Sequence, residues 1–296
     1  LRSLGSWFVL AGLAAGCLGL FAGSSSALAK GITGKAAKPY FQKMVDCPIS
    51  QSVYCAYAET LSGEFVIGSK TTPIEHPIVL QGGLADEGVF GNDNEALIPP
   101  LYGAEEASKT PQTIPGGLTG ESEELGGPLT ATAELAGTVI LNEQRLIDGG
   151  GPGVILPLKV HLQNELLGEN CYIGSDEHPL LLHLTDKKTE PPAGTEPIEG
   201  EEGKIVAIDK GEILELEGNE LVDNSFEAPA ATGCGVNPLT ELVTTELVNA
   251  DVGLPSAPGK SKAILKGNTF LGESVYVLKE DKKEIKAKEK AAKPAK

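Results

Sequence analysis

The chain reads as a mainly β protein, an antiparallel β-sandwich or irregular two-sheet domain with one short helix; an open β-barrel is the alternative. Three observations point there. Leu156, Leu158, Val160 and Leu162 alternate with Pro157, Lys159, His161 and Gln163, and a period of two marks a half-buried strand. Leu180, Leu182 and Leu184 repeat the pattern after a segment holding the turn formers Gly168, Asn170, Gly174, Asp176 and Pro179, which predicts an antiparallel pair. Only one stretch carries both a helix start and a helix stop. Asn237 can cap, Pro238 suits the first helical position and Gly253 ends the run.

The ends of the chain are unlike its body. Leu1 to Ala29 reads as a secretory signal: Arg2 gives a thin basic start, Trp7 to Phe21 an apolar run, and Ala27-Leu28-Ala29 a cleavage site. The mature chain is then expected to begin at Lys30. Two other fates compete, an uncleaved anchor and lipidation at Cys17. The apolar run is shorter than the ~20 residues that cross a bilayer, and no later run reaches that length. No transmembrane segment is expected in the mature chain. Residues 30–46 form a leader, residues 47–278 a single β-rich domain with a long excursion at 85–127, and residues 279–296 a Lys-rich disordered tail.

Within that frame the elements follow in order. Pro39 to Val45 predicts one turn of helix before Cys47, and Cys55–Ala58 and Glu64–Ile67 predict short strands joined through Ser62 and Gly63. Ile78–Gln81 is the next strand. Ala85 to Gly127 is rich in Gly, Pro, Glu, Asp and Asn and reads as a lid-like excursion. Strands return at Thr130–Leu135 and Thr138–Leu141, and Gly149 to Gly153 break the chain before the central pair. Lys204–Asp209 and Ile213–Glu217 form a hairpin about Asp209, Lys210 and Gly211. In the helix after Asn237, Leu239, Leu242, Val243 and Leu247 share one face, expected to lie against a sheet edge. Ala263–Leu265 and Ser274–Leu278 are expected as closing strands.

Cys47, Cys55, Cys171 and Cys234 remain after processing. An even count in an exported chain predicts two disulfides with three possible connectivities. Cys47 with Cys55 and Cys171 with Cys234 is favoured, because the first pair is local. The spacing lacks the CxxC and HxxxH pairs of a zinc site.

Motifs for chemistry are sparse. The sequence has no nucleophile elbow, P-loop, dinucleotide fingerprint, HExxH or EF-hand loop. His161 and His183 would face the same side of the central hairpin and could bind a metal with Asp176 or Glu177 if the register set them opposite. Asp86, Glu87, Asn92, Asp93, Asn94 and Glu95 offer oxygens to calcium, although their spacing matches no standard loop. No other cofactor is expected. The single Trp lies in the signal, so a sugar-stacking surface would rest on tyrosines such as Tyr172.

The formal charge is −17. Between Lys30 and Leu278 there are 15 basic and 37 acidic residues, a net of −22, whereas Lys279 to Lys296 holds eight Lys against four acids. Such a body excludes nucleic acid as a partner, since phosphate binding needs the opposite sign. The tail alone suits anionic cell-wall polymers.

At LKVHLQNELLGENCYIGSDEHPLLLHLT, ELVDNSFEAPAATGCG and VGLPSAPGKSKAILKG, with Asp46-Cys47-Pro48 and Leu80 to Leu84, the chain resembles a group of secreted proteins from high-GC Gram-positive bacteria. The resemblance implies export and brings no catalytic or binding residue with it. Three functions fit the sequence: a non-catalytic extracellular or cell-envelope protein with a structural or binding role, a secreted hydrolase, and a calcium- or metal-dependent adhesion module. The first agrees best with the missing catalytic motifs.

Overall fold

The structure, a computed structural model, describes residues 32–85, 94–101, 104–118, 127–280 and 282. The expected signal, the acidic residues Asp86 to Asp93 and the chain beyond 282 lie outside the described residues. After helix α1 (Lys38–Gln42) come β1 (Tyr54–Ile67), β2 (Lys70–Pro73) and β3 (Ile78–Leu84). Strands β4 (Glu95–Ala96), β5 (Gln112–Thr113), β6 (Thr130–Leu135) and β7 (Ile140–Leu141) lead to helix α2 (Glu143–Asp148). Then follow β8 (Val154–Gln163), β9 (Tyr172–Ile173), β10 (Leu180–Leu184), β11 (Lys204–Ile208), β12 (Ile213–Asp223) and β13 (Ala231–Thr232). Helix α3 (Pro238–Val252) and β14 (Lys262–Glu273) complete the series.

These strands make two antiparallel sheets that face each other and do not close into a barrel. The first runs β11-β12-β14-β1-β2, with β3 also on β1; the second runs β13-β9-β8-β6-β5, with β10 and β7 on β8 and β4 on β7. The main core lies between them. Leu156, Leu158, Val160 and Leu162 of β8 and Leu180, Leu182 and Leu184 of β10 are buried, while Leu181 is 41% exposed. The predicted central pair is present, in a register that sets Leu180 opposite Leu158.

Pro157 sits mid-strand without breaking β8. On one side β7 pairs with Val154 and Ile155 and β6 pairs from Leu158 onward, so the missing N–H falls where no ladder bond is due. The Pro157 carbonyl still accepts from the Ala136 N–H at 3.0 Å.

The structure differs from the sequence expectations, or adds to them, at four places. Cys55–Ala58 and Glu64–Ile67 are not two strands turned at Ser62 and Gly63 but parts of the single strand β1, bulged between Thr60 and Ser62. The bulge flips the pleat, so Tyr54 and Ala56 before it and Phe65 and Ile67 after it all meet the same core. Strand β12 bulges between Glu217 and Asn219 against the same residue of β14, Gly267. A Cβ on Gly267 would lie 1.8 Å from the Glu59 carbonyl oxygen, so glycine is required there by close approach.

Second, residues 274–280 are helical rather than a closing strand. Ser274 and Val277, three residues apart, are both buried, and the Ser274 hydroxyl donates to the Ser52 carbonyl at 2.9 Å. Val277 joins Phe41, Met44, Ile208, Ile213 and Phe270 in a second core on the outer side of the first sheet. Third, the expected excursion contributes to the core: Leu97, Ile114 and Leu118 are in the main core, and β4 and β5 extend the second sheet. Fourth, α2 has no counterpart in the sequence reading. Its six residues are too few for periodicity to register, and its clearest signal is the Asn142 cap, whose Oδ1 accepts from the Arg145 N–H at 3.0 Å.

Cys47–Cys55 and Cys171–Cys234 are at bonding distance, 2.06 and 2.05 Å between sulfurs, which is the connectivity favoured from the spacing. Among the described residues no helix is long and apolar enough to cross a membrane.

Candidate functional site

A polar grouping lies on β6, β8 and β9. Antiparallel register places Glu134 opposite Lys159, Thr132 opposite His161, and His161 opposite Tyr172. The His161 ring stacks on Tyr172 at 4.5 Å and 12°, and its Nδ1 is 3.8 Å from the Glu134 carboxylate. Lys159 Nζ lies 5.6 Å from the centre of the Tyr172 ring and donates to Asp176 at 2.7 Å. Burial, then the Glu134 charge, raises the Tyr172 hydroxyl above its usual pKa, and the hydrogen bond to Asp176 raises the Lys159 ammonium. Both shifts hold the groups protonated. Antiparallel pairing makes the grouping a cross-strand ladder of paired side chains.

His183 does not join it. On β10 it pairs with Ile155, six residues along β8 from His161, a separation of roughly 20 Å at strand rise. The two imidazoles share a face of the sheet but not a ligand, which corrects the metal pair expected from the sequence. Strand β10 pairs only with Val154–Leu158, the first half of β8, so His161 lies beyond the paired stretch. Of the carboxylates proposed beside them, Asp176 is taken by Lys159 and Glu177 lies 3.4 Å from the Ser175 hydroxyl. His178 is a turn residue, its N–H donating to Ser175 Oγ at 3.1 Å.

Helix α3 starts and stops where the sequence places it. Asn237 Oδ1 accepts from the N–H groups of Leu239 and Thr240, and Gly253 takes the left-handed conformation at φ 75°. Its orientation is the reverse of the expected one. Leu239, Leu242, Val243 and Leu247 are 91, 72, 71 and 46% exposed, while Val248 and Val252 are buried.

The cause is the edge strand β13, whose backbone groups need partners. Asn249 supplies them, accepting from the Ala231 N–H at 2.7 Å and donating to the Ala231 carbonyl at 3.2 Å. Thr245 does the same for Cys234, at 3.2 and 3.3 Å. Thr245, Val248, Asn249 and Val252 share one side of the helix, so this clamp turns the leucines to solvent. Val236 and Leu166 are also exposed beside the helix start, where the Gly235 N–H donates to the Leu167 carbonyl at 2.7 Å. The result is an apolar stripe exposed to water.

Between the sheets a residual cavity of about 30 Å³ is lined by Phe65, Ile67, Ile78, Ala131, Leu158 and Phe226. That is space on the scale of a water molecule. Of the residues expected to offer oxygens to calcium, Asp86, Glu87, Asn92 and Asp93 lie outside the described residues, and Asn94 and Glu95 stand at β4. The sequence reading did not single out Glu143, which lies buried beside them. No protein-family model, curated protein or solved structure matches the chain.

Proposed function

We propose that the chain is an exported protein of the cell envelope or extracellular space with a non-catalytic structural or binding role. The observation that carries this reading is the pair of disulfides. All four cysteines of the body are buried and bonded, with Cys55, Cys171 and Cys234 at 0% exposure, and such bonds persist in oxidising compartments. The apolar leader from Trp7 to Phe21 and the small residues at Ala27 and Ala29 support the same address. A binding role is supported by the apolar stripe of α3 and by the Lys-rich tail, whose charge suits anionic wall polymers that the acidic body would repel.

The test is to express the full chain in a bacterium and fractionate the culture. The expected result is protein outside the cytosol, without its leader, whose body thiols resist a maleimide until a reductant is added. Cytosolic protein with reactive Cys171 or Cys234 would overturn the proposal. A parallel culture lacking Lys279 to Lys296 assigns wall retention: salt-sensitive loss on deletion supports the tail as the contact, and equal retention removes it.

A further inference from the structure

We infer that Glu143 and Glu95, with the side-chain oxygen of Asn94, form a binding site for a divalent cation of the calcium type. The placement comes from the second sheet. Glu95 pairs with Leu141 across β4 and β7, and two residues after Leu141 the chain reaches Glu143, the first residue of α2. The cap residue Asn142 fastens the two segments together. Its Nδ2 donates to Asn94 Oδ1 at 3.1 Å while its Oδ1 holds the first turn of α2.

The observation that points to a ligand is Glu143 itself. It is only 6% exposed, and both carboxylate oxygens are shut off from solvent with no hydrogen-bond partner. A buried carboxylate is strongly disfavoured unless something supplies protons or positive charge. Burial pushes its pKa up, and the Glu95 charge adds to the rise. One carboxylate is thus enclosed beside a second, next to an amide oxygen.

Oxygens of this kind suit calcium, which takes about six to eight oxygen ligands, waters and backbone carbonyls included. Among the described residues Glu143 and Glu95 are the charged ligands, and no group of three or more His, Cys, Asp or Glu gathers to hold a metal. Sites with few charged ligands bind weakly, with a Kd on the order of 0.1–1 mM.

The experiment is thermal unfolding of the full chain in EDTA and in rising calcium chloride at constant ionic strength. The parent Tm should climb and saturate in the millimolar range, with a smaller response to magnesium, which demands stricter geometry. Glu143→Gln should fold, stand at or above the parent Tm in EDTA, and bind calcium at least roughly tenfold more weakly. If Glu143→Gln fails to fold, Glu95→Gln is read in the same way. A parent Tm indifferent to calcium would overturn the inference and leave a proton as the neutralising partner. An equal calcium response in parent and variants would overturn it too, since the ion would then sit elsewhere on the acidic surface.

Discussion

Asp186 is a residue whose environment changes its chemistry. It is 5% exposed, and its Oδ1 has no hydrogen bond, with Lys187 Nζ 3.8 Å away. Burial pushes its pKa up to about 6; Lys187 and its own backbone N–H pull it down, and Glu202 adds to the rise. The folded state therefore holds this proton more tightly than the unfolded chain does. Its contribution to stability is fully present below the ordinary value of 3.8 and is lost as pH rises through about 6. Asp186→Asn removes the ionisation, so it should stabilise the protein by roughly 1–3 kcal/mol near neutral pH and by little at about pH 4. Urea unfolding across that range is the measurement; a difference that does not change with pH would refute the assignment.

At the scale of elements, α3 separates what a pattern shows from what it does not. Asn237, Pro238 and Gly253 mark its limits because capping is local chemistry. Which side faces the protein depends on the edge groups of β13, which lie outside the helix window. Leu242 is consequently a surface residue, and Leu242→Ser should change stability by no more than about 0.5 kcal/mol. Val248→Ala should cost about 1–3 kcal/mol, because it removes buried methyl groups. Chemical denaturation of both variants decides the matter, and a larger loss at Leu242 would restore the orientation that the leucine spacing implies. The same limit explains His161 and His183: their shared face follows from parity along each strand, but their separation follows from the register.

For the whole molecule, the two disulfides tie very different lengths of chain. Cys47 and Cys55 are 8 residues apart, and Cys171 and Cys234 are 63 apart, joining the start of β9 to the segment between β13 and α3. By loop-closure entropy the long link contributes about 4 kcal/mol and the short one about 2.5 kcal/mol. Replacing Cys171 and Cys234 with Ser should therefore lower stability more than replacing Cys47 and Cys55. Equal losses, or a larger loss for the short loop, would show that entropy does not govern the difference.

The sequence by itself determined the fold class, the central β8–β10 pair and the limits of α3, and it favoured the cysteine pairing that the structure then decided. Each is written in neighbouring residues: a period of two, a cap and a stop, and for Cys47 and Cys55 a short spacing. The tertiary structure alone decided that β1 is one bulged strand, that residues 274–280 turn helical over a second core, that α3 shows its leucines to water, and that Glu143 is enclosed beside Glu95. All four depend on partners far along the chain: Gly267 for β1, Phe41 and Phe270 for the C-terminal helix, Ala231 for α3, and β4 for Glu143. Alternation and capping are short-range effects. Burial, register and charge proximity exist only once distant segments have met.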